Sequence, residues 1–321
     1  MLDIIVPHYK ESWDVVHNLF DMLNLQRDVD FNKISVYLVN DGIENEFPAE
    51  YFENRPYHVE QISIPHAGVS TARNTGLKAA TREWVMFCDC DDMFSNVYSL
   101  REYLNVLPAP EYDILWAEFY SEDSTQEKTL ITPCKRLHEV FPHGKVYRRK
   151  YLLDNDIWFN TELAFNEDSE FNAIALNLTP YKRIGKIVTH EPPYIWMCRE
   201  GSTTHSRPDR HEVALCDHYK RNLSVCKVFK EKVPNHYNNM VARTVLDTFY
   251  TLNIPVLTEK LQAVKTDFAH WFQEHKKAYY AADKQLLPEI RRMARMEYKS
   301  EDFRDDITLD QWLADVERSI A

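Results

Sequence analysis

The first third of the chain alternates between two hydrophobic patterns, and this alternation restricts the possible folds most strongly. Apolar runs of strand length occupy residues 2–7, 34–39, 59–64 and 84–88. Between these runs, residues 68–80 have helical character, and Ser12 is a candidate N-cap for a helix with apolar positions at Trp13, Val16, Phe20 and Leu23. Strand signals that alternate with helix signals predict an α/β fold, in which helices cross over a sheet.

The rest of the chain is mixed up to about residue 205 and then becomes helical. We predict a strand at 112–119, a strand that leads into a helix at 145–153, and the start of a helix at 167–176. Farther on, single helical faces are formed by Val241, Val245, Phe249 and Leu252, and by Leu309, Trp312, Val316 and Ile320, with Thr308 and Gln311 placed as a capping box. The predicted domains are therefore residues 1–209 and a helical region at residues 210–321.

Composition excludes several classes of protein. The formal net charge is −12, so we expect no broad nucleic-acid-binding surface. Apolar stretches stay shorter than the roughly 18 residues of a transmembrane helix, and a predicted strand begins at once without a basic leader, which predicts a cytoplasmic protein. The six glycines cannot form the Rossmann or P-loop pattern, and the six cysteines include no CxxC pair.

Three carboxylates follow the fourth predicted strand within four positions, at Asp89, Asp91 and Asp92. Such a cluster is costly unless a cation or several hydrogen-bond donors balance its charge. Mg²⁺ and Mn²⁺ take oxygen ligands and often share them with a substrate diphosphate. Ligands of α/β sheets also gather at the carboxyl ends of strands. The cluster therefore indicates a divalent-cation site, whereas the plainer interpretation is a solvated acidic turn.

Two further polar positions lie upstream of this cluster. Residues 68–76 (GVSTARNTG) open the predicted helix, where free backbone N–H groups favour an anion. Arg73 within this segment could reach a phosphate or could pair with a member of the acidic cluster. Asp41 follows the second predicted strand, where its carboxylate could accept from a base or ribose donor or could form a simple Asx turn.

The combination of motifs resembles the inverting family 2 glycosyltransferases of GT-A fold. In chain order, the resemblance is carried by residues 4–9 (IIVPHY), 39–42 (VNDG), 68–76, 89–92 (DCDD), 144–149 (GKVYRR) and 166–171 (NEDSEF). It covers residues 1 to about 205 and is greatest with bacterial and phage members that act on cell-wall or surface polysaccharide. It implies a GT-A-type nucleotide-sugar-binding sheet flanked by helices, followed by the helical C-terminal part.

The resemblance also implies roles for individual residues. Those assigned to the nucleotide sugar are Pro7, Tyr9, Asp41, His66, Arg73, Asp89, Asp92, Arg199 and Ser206. Asp91 would coordinate Mn²⁺ or Mg²⁺, and His205 would contact the metal or the diphosphate. Two positions depart from the family pattern, since His66 stands where Asn is frequent and Cys90 where a small residue is usual.

The same resemblance assigns the catalytic base to Asp168, which Glu167 precedes. Inversion requires a base that takes the proton of the acceptor hydroxyl. A metal and nearby cations would meanwhile neutralise the departing diphosphate. From the residues alone, Asn166, Glu167 and Asp168 could equally cap the following helix, and only the resemblance favours the base.

These inferences predict a glycosyltransferase whose donor is a nucleotide sugar, with UDP the commonest carrier in similar enzymes. The acceptor stays open among glycan, teichoic acid, lipid-linked oligosaccharide and protein, as do a peripheral membrane contact and homo-oligomerisation through the C-terminal helices. A sugar nucleotidyltransferase is an alternative, although its glycine-rich signature is missing. A catalytically inactive nucleotide-sugar-binding module is another, against which the retained aspartates argue.

Overall fold

A computed structural model of the chain describes residues 1–42, 47–48, 50–107, 109–125, 128–197 and 209–320. The described residues form two compact units, one of residues 1–162 and 167–197 and the other of residues 163–166 and 209–320. Within these ranges, the cysteines at 88, 90, 134, 216 and 226 are free thiols. Among the described helices, none combines the length and apolarity that crossing a membrane requires.

The first unit contains both strands and helices. Its described strands are β1 (Leu2–His8), β2 (Ile34–Asp41), β3 (His58–Ile64), β4 (Trp84–Phe87), β5 (Met93–Phe94), β6 (Ile114–Trp116), β7 (Phe119–Thr125), β8 (Lys128–Cys134), β9 (Lys145–Arg148), β10 (Ile184–Lys186) and β11 (Tyr194–Trp196). Its described helices are α1 (Trp13–Asn24), α2 (Glu50–Glu53), α3 (Val69–Ala79), α4 (Ser99–Val106), α5 (Arg149–Asp154) and α6 (Glu167–Leu178). The predicted α/β fold is confirmed.

The main sheet has the strand order β10-β6-β9-β4-β1-β2-β3. The pairs β1–β2, β1–β4, β2–β3 and β6–β10 are parallel, whereas β9 runs antiparallel to both β4 and β6. Every residue of β1 and β2 is buried, as expected for strands covered on both faces, and the edge strand β3 is partly exposed. The order brings the carboxyl ends of β1, β2 and β4 to the same edge.

Helices α1 and α3 pack on this sheet through different kinds of residue. Helix α1 buries Val16, Leu19, Phe20 and Leu23, while Ser12 at its N-cap makes no side-chain capping bond among the described residues. Helix α3 lies close to β1, because a Cβ atom at Gly76 would come within 2.4 Å of Ile5 Cγ2. Glycine at this position therefore permits the close approach that brings the start of α3 to the strand ends.

A second sheet with the order β5-β11-β7-β8 accompanies the main one. The single strand predicted at residues 112–119 is wrong in this respect, because β6 ends at Trp116 and belongs to the main sheet, whereas β7 begins at Phe119 and belongs to the second. Between them, the amide of Ala117 donates to the carbonyl of Gly144. Gly144 has φ +69°, and a Cβ atom there would lie 2.7 Å from the Ala117 carbonyl oxygen.

The second unit is helical in its described part. Its helices are α7 (Arg210–Lys232), α8 (Pro234–Leu252), α9 (Glu259–Tyr280), α10 (Leu287–Tyr298) and α11 (Leu309–Arg318). The first predicted face is confirmed, since Val241, Val245, Phe249 and Leu252 are buried. Of the second, Leu309, Trp312 and Val316 are buried, whereas Ile320 is half-buried and lies beyond the end of α11. Thr308 and Gln311 form the predicted capping box at α11, and prolines stand in the first turns of α8 and α10.

Candidate active site

The acidic turn that follows β4 lies at the carboxyl edge of the main sheet. Its backbone is closed by the Asp92 amide, which donates to the Asp89 carbonyl at 3.0 Å. Asp92 is almost fully buried at 1% exposure and accepts hydrogen bonds from the Tyr194 hydroxyl and from the Met197 amide. Burial, together with Asp89 and Asp91, raises the pKa of Asp92 well above its usual range. Asp92 thus joins the acidic turn to β11.

A candidate cation site is formed by Asp89, Asp92 and His143, whose ligand atoms all lie within 4.8 Å of one another. His143 is 3% exposed, and its Nδ1 lies 3.7 Å from Asp92 Oδ2 without a hydrogen-bond partner among the described residues. Burial lowers the pKa of His143 to about 3, so the imidazole is neutral at physiological pH and has the form that binds metal. Two carboxylates and one neutral imidazole fit a divalent cation such as Mn²⁺.

His143 is the functional candidate that the sequence did not reveal. His143 directly precedes residues 144–149, one of the segments that carry the family resemblance. Nothing else in the sequence indicated a functional role for this histidine. Asp91, the predicted metal ligand, is half-buried and is not one of the three clustered residues. Its role stays a prediction.

The predicted base and the acidic turn meet at Arg73. Its Nη1 donates to Asp168 Oδ1 at 2.7 Å and to Glu167 Oε1 at 3.2 Å, and its Nη2 donates to Asp89 Oδ1 at 2.8 Å. Helix α3 provides the arginine, the first turn of α6 provides Glu167 and Asp168, and the turn after β4 provides Asp89. Of the two alternatives for Arg73, the structure shows pairing with the carboxylates.

One guanidinium therefore serves three carboxylates. Burial raises the pKa of Asp168 to about 8, and Glu167 and Asp89 act in the same direction, whereas Arg73 opposes them. The pKa of Glu167 is also raised, mainly by burial. Burial disfavours ionisation of Asp89 too, but Arg73 and His143 hold its pKa below the usual value. A pKa of about 8 places the titration of Asp168 near neutral pH, where a general base is effective.

The predicted nucleoside end lies beyond the ends of β1 and β2. The rings of Tyr9 and His66 stack at 4.0 Å with planes 9° apart. His66 Nδ1 lies 2.9 Å from Asp41 Oδ2, and the Asp41 carboxylate also accepts from the amides of Ala67 and Gly68. Asp41 therefore holds the turn before α3 through contacts 26 and 27 positions along the chain, which differ from the local Asx turn that the sequence left as an alternative. Pro7 is buried within β1.

Three of the predicted site residues, Arg199, His205 and Ser206, lie outside the described residues. The described chain reaches Met197, whose amide is bonded to Asp92. The other predicted residues all lie in the first unit, and the carboxylates that the resemblance assigned to opposite sides of the reaction share one arginine.

Comparisons with known proteins identify the family to which the first unit is similar. Residues 3–162 match the model of glycosyl transferase family 2. The uncharacterized glycosyltransferase EpsJ of Bacillus subtilis (strain 168) is 28% identical over 197 residues, which cover 54% of this chain and 56% of EpsJ. The poly(ribitol-phosphate) beta-N-acetylglucosaminyltransferase TarS of Staphylococcus aureus (strain Mu50 / ATCC 700699) is 27% identical over 184 residues, which cover 52% of this chain and 31% of TarS. The chain thus spans little more than half of EpsJ and about a third of TarS.

The fold agrees with a solved structure over nearly the whole chain. The crystal structure of S. aureus TarS 1-349 in complex with UDP-GlcNAc has a TM-score of 0.67 with this chain, covering 99% of it and 91% of the TarS chain at 20% identity. An identity this low shows the fold and leaves substrates open. The chain belongs to glycosyl transferase family 2 through its residues 3–162 and has the GT-A fold that its sequence predicted.

Proposed function

We propose that this protein is a metal-assisted glycosyltransferase that moves a sugar from a UDP-sugar to an acceptor hydroxyl with inversion. The observation that carries the proposal is the pairing of Asp168 and Asp89 by the same buried guanidinium. This contact brings a carboxyl group with a pKa of about 8 next to the acidic turn and its candidate cation site. A base and a site for the leaving group are the two parts that inverting transfer needs.

In the proposed step, the acceptor oxygen attacks the anomeric carbon while the bond from that carbon to the diphosphate oxygen breaks. Asp168 takes the proton of the acceptor hydroxyl, and UDP departs with the bonding electron pair. Glu167 acts as a charged neighbour of the base. A divalent cation, when bound, neutralises charge on the departing diphosphate. Asp89, Asp92 and His143 would hold Mn²⁺ or Mg²⁺, with Asp91 as the further predicted ligand.

For the donor, we propose the residues assigned from the family resemblance. Pro7, Tyr9, Asp41 and His66 would receive the nucleoside, and Arg199 and Ser206 would contact the diphosphate. UDP as the carrier is supported by the TarS structure of the same fold, which holds UDP-GlcNAc. Because Asp41 and His66 already bond each other, nucleoside binding would share or replace that contact.

For the acceptor, we propose a bacterial cell-wall glycopolymer or surface polysaccharide, since TarS is named for its action on poly(ribitol phosphate). Residues 210–321 would serve acceptor docking or oligomerisation. A cytoplasmic location, with peripheral contact at the inner face of a membrane, stays part of the same prediction.

The proposal is tested by a donor screen that measures nucleotide diphosphate released from UDP-sugars and other nucleotide sugars, with and without Mn²⁺. We expect at least one UDP-sugar to give turnover, and we expect this turnover to be lost when the metal is chelated. Failure of every nucleotide sugar to bind or react would overturn the proposal. Tight binding of a donor without turnover in any condition would instead support the inactive binding module.

A further inference from the structure

Arg73 makes an unusually complete set of contacts for a residue that the family resemblance assigned to the nucleotide. One Nη atom is shared by Asp168 and Glu167, and the other is bonded to Asp89, at distances of 2.7 to 3.2 Å. These contacts use both terminal nitrogens. A fork of this kind fixes the orientation of the carboxylates that it binds, because the guanidinium is planar and its donors are rigidly spaced.

The guanidinium is also enclosed. The Arg73 side chain is 3% exposed, its carbon Cζ lies 5.1 Å from the centre of the Phe159 ring, and its Nε is buried. Phe159 is itself held by Phe171, whose ring stacks on it at 4.1 Å. A phosphate could contact this guanidinium only after the existing partners moved away. The packing therefore favours a permanent contact with the carboxylates over a contact with the nucleotide.

The balance of charge around Asp168 explains why such a residue is needed. Four charged groups influence it: Arg73 from α3, Glu167 from α6, Asp89 from the acidic turn and Lys145 from β9. Lys145 is buried and donates to the carbonyls of His138 and Phe141, and burial lowers its pKa to about 7, so its charge is partly lost at neutral pH. Arg73 is thus the permanent positive charge bonded to the base.

We propose that Arg73 is a positioning residue, whose guanidinium orients the Asp168 carboxylate for proton transfer and joins it to the donor-side carboxylate of Asp89. This inference rests on the proposed function and adds to it a defined role for each carboxylate oxygen of Asp168. Arg73 holds Oδ1 of Asp168, and Oδ2 is the oxygen that receives the proton of the acceptor hydroxyl. Donor side and base side are then fixed in one arrangement before any substrate binds.

The test compares Arg73→Gln and Arg73→Lys with the wild type, using the donor that the screen identifies, together with UDP and Mn²⁺ as binding probes. Arg73→Gln should lower kcat by about 100-fold and shift the acid limb of the pH–rate profile upward by roughly one to two units, because the base loses its cation. Arg73→Lys keeps the charge and should recover part of the rate. The affinity for UDP should change by less than about threefold in both variants.

A second substitution predicts a shift of opposite sign. Glu167→Gln removes a negative charge that raises the pKa of Asp168, so the acid limb should move to lower pH. The glutamine can still accept a hydrogen bond from Arg73, which favours correct folding. As a control, Arg55→Gln removes another mostly buried arginine of the same unit, bonded to Asp21 and the Phe20 carbonyl, and should leave the limb unchanged.

A loss of UDP affinity of tenfold or more with an unshifted acid limb would assign Arg73 to the nucleotide and overturn the inference. If Arg73→Gln does not fold, an unshifted acid limb of the pH–rate profile in Glu167→Gln would overturn the inference as well.

If the wild type neither binds UDP nor reacts, the proposed function fails separately from the inference about Arg73. The melting temperature then decides, since Arg73→Gln should lose more stability at pH 9 than at pH 5, where the carboxyl groups hold more protons.

Discussion

Among single residues, Asp168 combines a pKa that burial raises to about 8 with a direct hydrogen bond from the Arg73 guanidinium. Asp168→Asn should lower the rate of sugar transfer by about 10²- to 10⁴-fold, because the amide cannot accept the proton of the acceptor hydroxyl. Donor affinity should be retained, since Arg73 keeps Glu167 and Asp89 as partners. Turnover assays and calorimetric titration with UDP and Mn²⁺ measure the two quantities.

The exposed carboxylate of Asp154, at the end of α5, offers a matched control. Asp154→Asn makes the same chemical change away from the site and should leave transfer and UDP affinity unaltered. A large loss of UDP binding in Asp168→Asn would mean that this residue holds the donor and that the base has been misassigned.

The metal ligands provide a second prediction for single residues. His143→Phe keeps a ring among the neighbouring rings of Phe141, Tyr194 and Trp196 but removes the buried Nδ1. If His143 binds the cation, the Mn²⁺ concentration that gives half-maximal turnover should rise by about 10- to 100-fold. The matched change His138→Phe, at a half-buried histidine that also stacks on Phe141, should have little effect.

Asp91→Ala tests the ligand that the sequence predicted. If Asp91→Ala abolishes metal-dependent turnover while His143→Phe leaves the Mn²⁺ requirement unchanged, the cluster of Asp89, Asp92 and His143 is not the cation site.

The sequence could not place His143 in that cluster, because it stands about fifty positions from the acidic turn and belongs to no spaced pattern. The choice between the two roles of Arg73 was equally hidden, since it depends on where α6 begins in space.

Among secondary-structure elements, those with strong local patterns were predictable. The buried strands β1, β2 and β4 and the helices α1 and α3 follow from apolar runs and helical spacing within single segments. The second sheet did not follow, because strand β7 consists mostly of polar residues and β5 and β11 are only two and three residues long. Strands β7 and β8 pair with each other along the chain, but β11 pairs with β5 and β7 from far away, and single-segment patterns do not contain such partners.

The contact between α3 and β1 gives a prediction at the level of elements. Gly76→Ala should destabilise the fold by roughly 1–3 kcal/mol, because the new Cβ atom would lie 2.4 Å from Ile5 Cγ2 within a packed core. Helix propensity alone predicts the opposite, a gain of about 1 kcal/mol for alanine over glycine. Urea unfolding followed by circular dichroism measures the sign directly.

Lys78→Ala tests an exposed position of the same helix and should change the free energy of unfolding by no more than about 0.5 kcal/mol. Stabilisation by Gly76→Ala would show that α3 can move away from β1. In that event, Arg73 on the same helix would no longer be held at a fixed distance from Asp89 and Asp168.

For the whole molecule, each unit has its own hydrophobic core. The core of the first unit includes Ile4, Val36 and Trp84, and that of the second includes Phe249, Phe268 and Trp312. All of the candidate site residues that the structure describes belong to the first unit. Nucleotide binding should therefore stabilise elements of the α/β unit, whatever role the helical region has toward the acceptor.

Hydrogen exchange of the intact chain tests this division. UDP with Mn²⁺ at about 100 times the dissociation constant stabilises the folded protein against unfolding by about 2.7 kcal/mol. We expect slower exchange in the acidic turn at residues 89–92 and in the turn where Ala67 and Gly68 donate to Asp41. Amides in the core of the helical unit, such as those of Phe268 and Phe272, should keep their rates.

Adding Mn²⁺ alone and then UDP separates the protection from exchange that the metal causes from the protection that the nucleotide causes. Mn²⁺ alone should slow exchange mainly at the acidic turn and around His143, because these residues form the candidate cation site. UDP should extend the protection to the turn beside Asp41, and the Asp168→Asn variant should show the same pattern, since the base does not hold the donor. Protection confined to residues 210–320 would instead mean that the helical unit binds the nucleotide, which would contradict the proposal that the described donor residues of the first unit bind it.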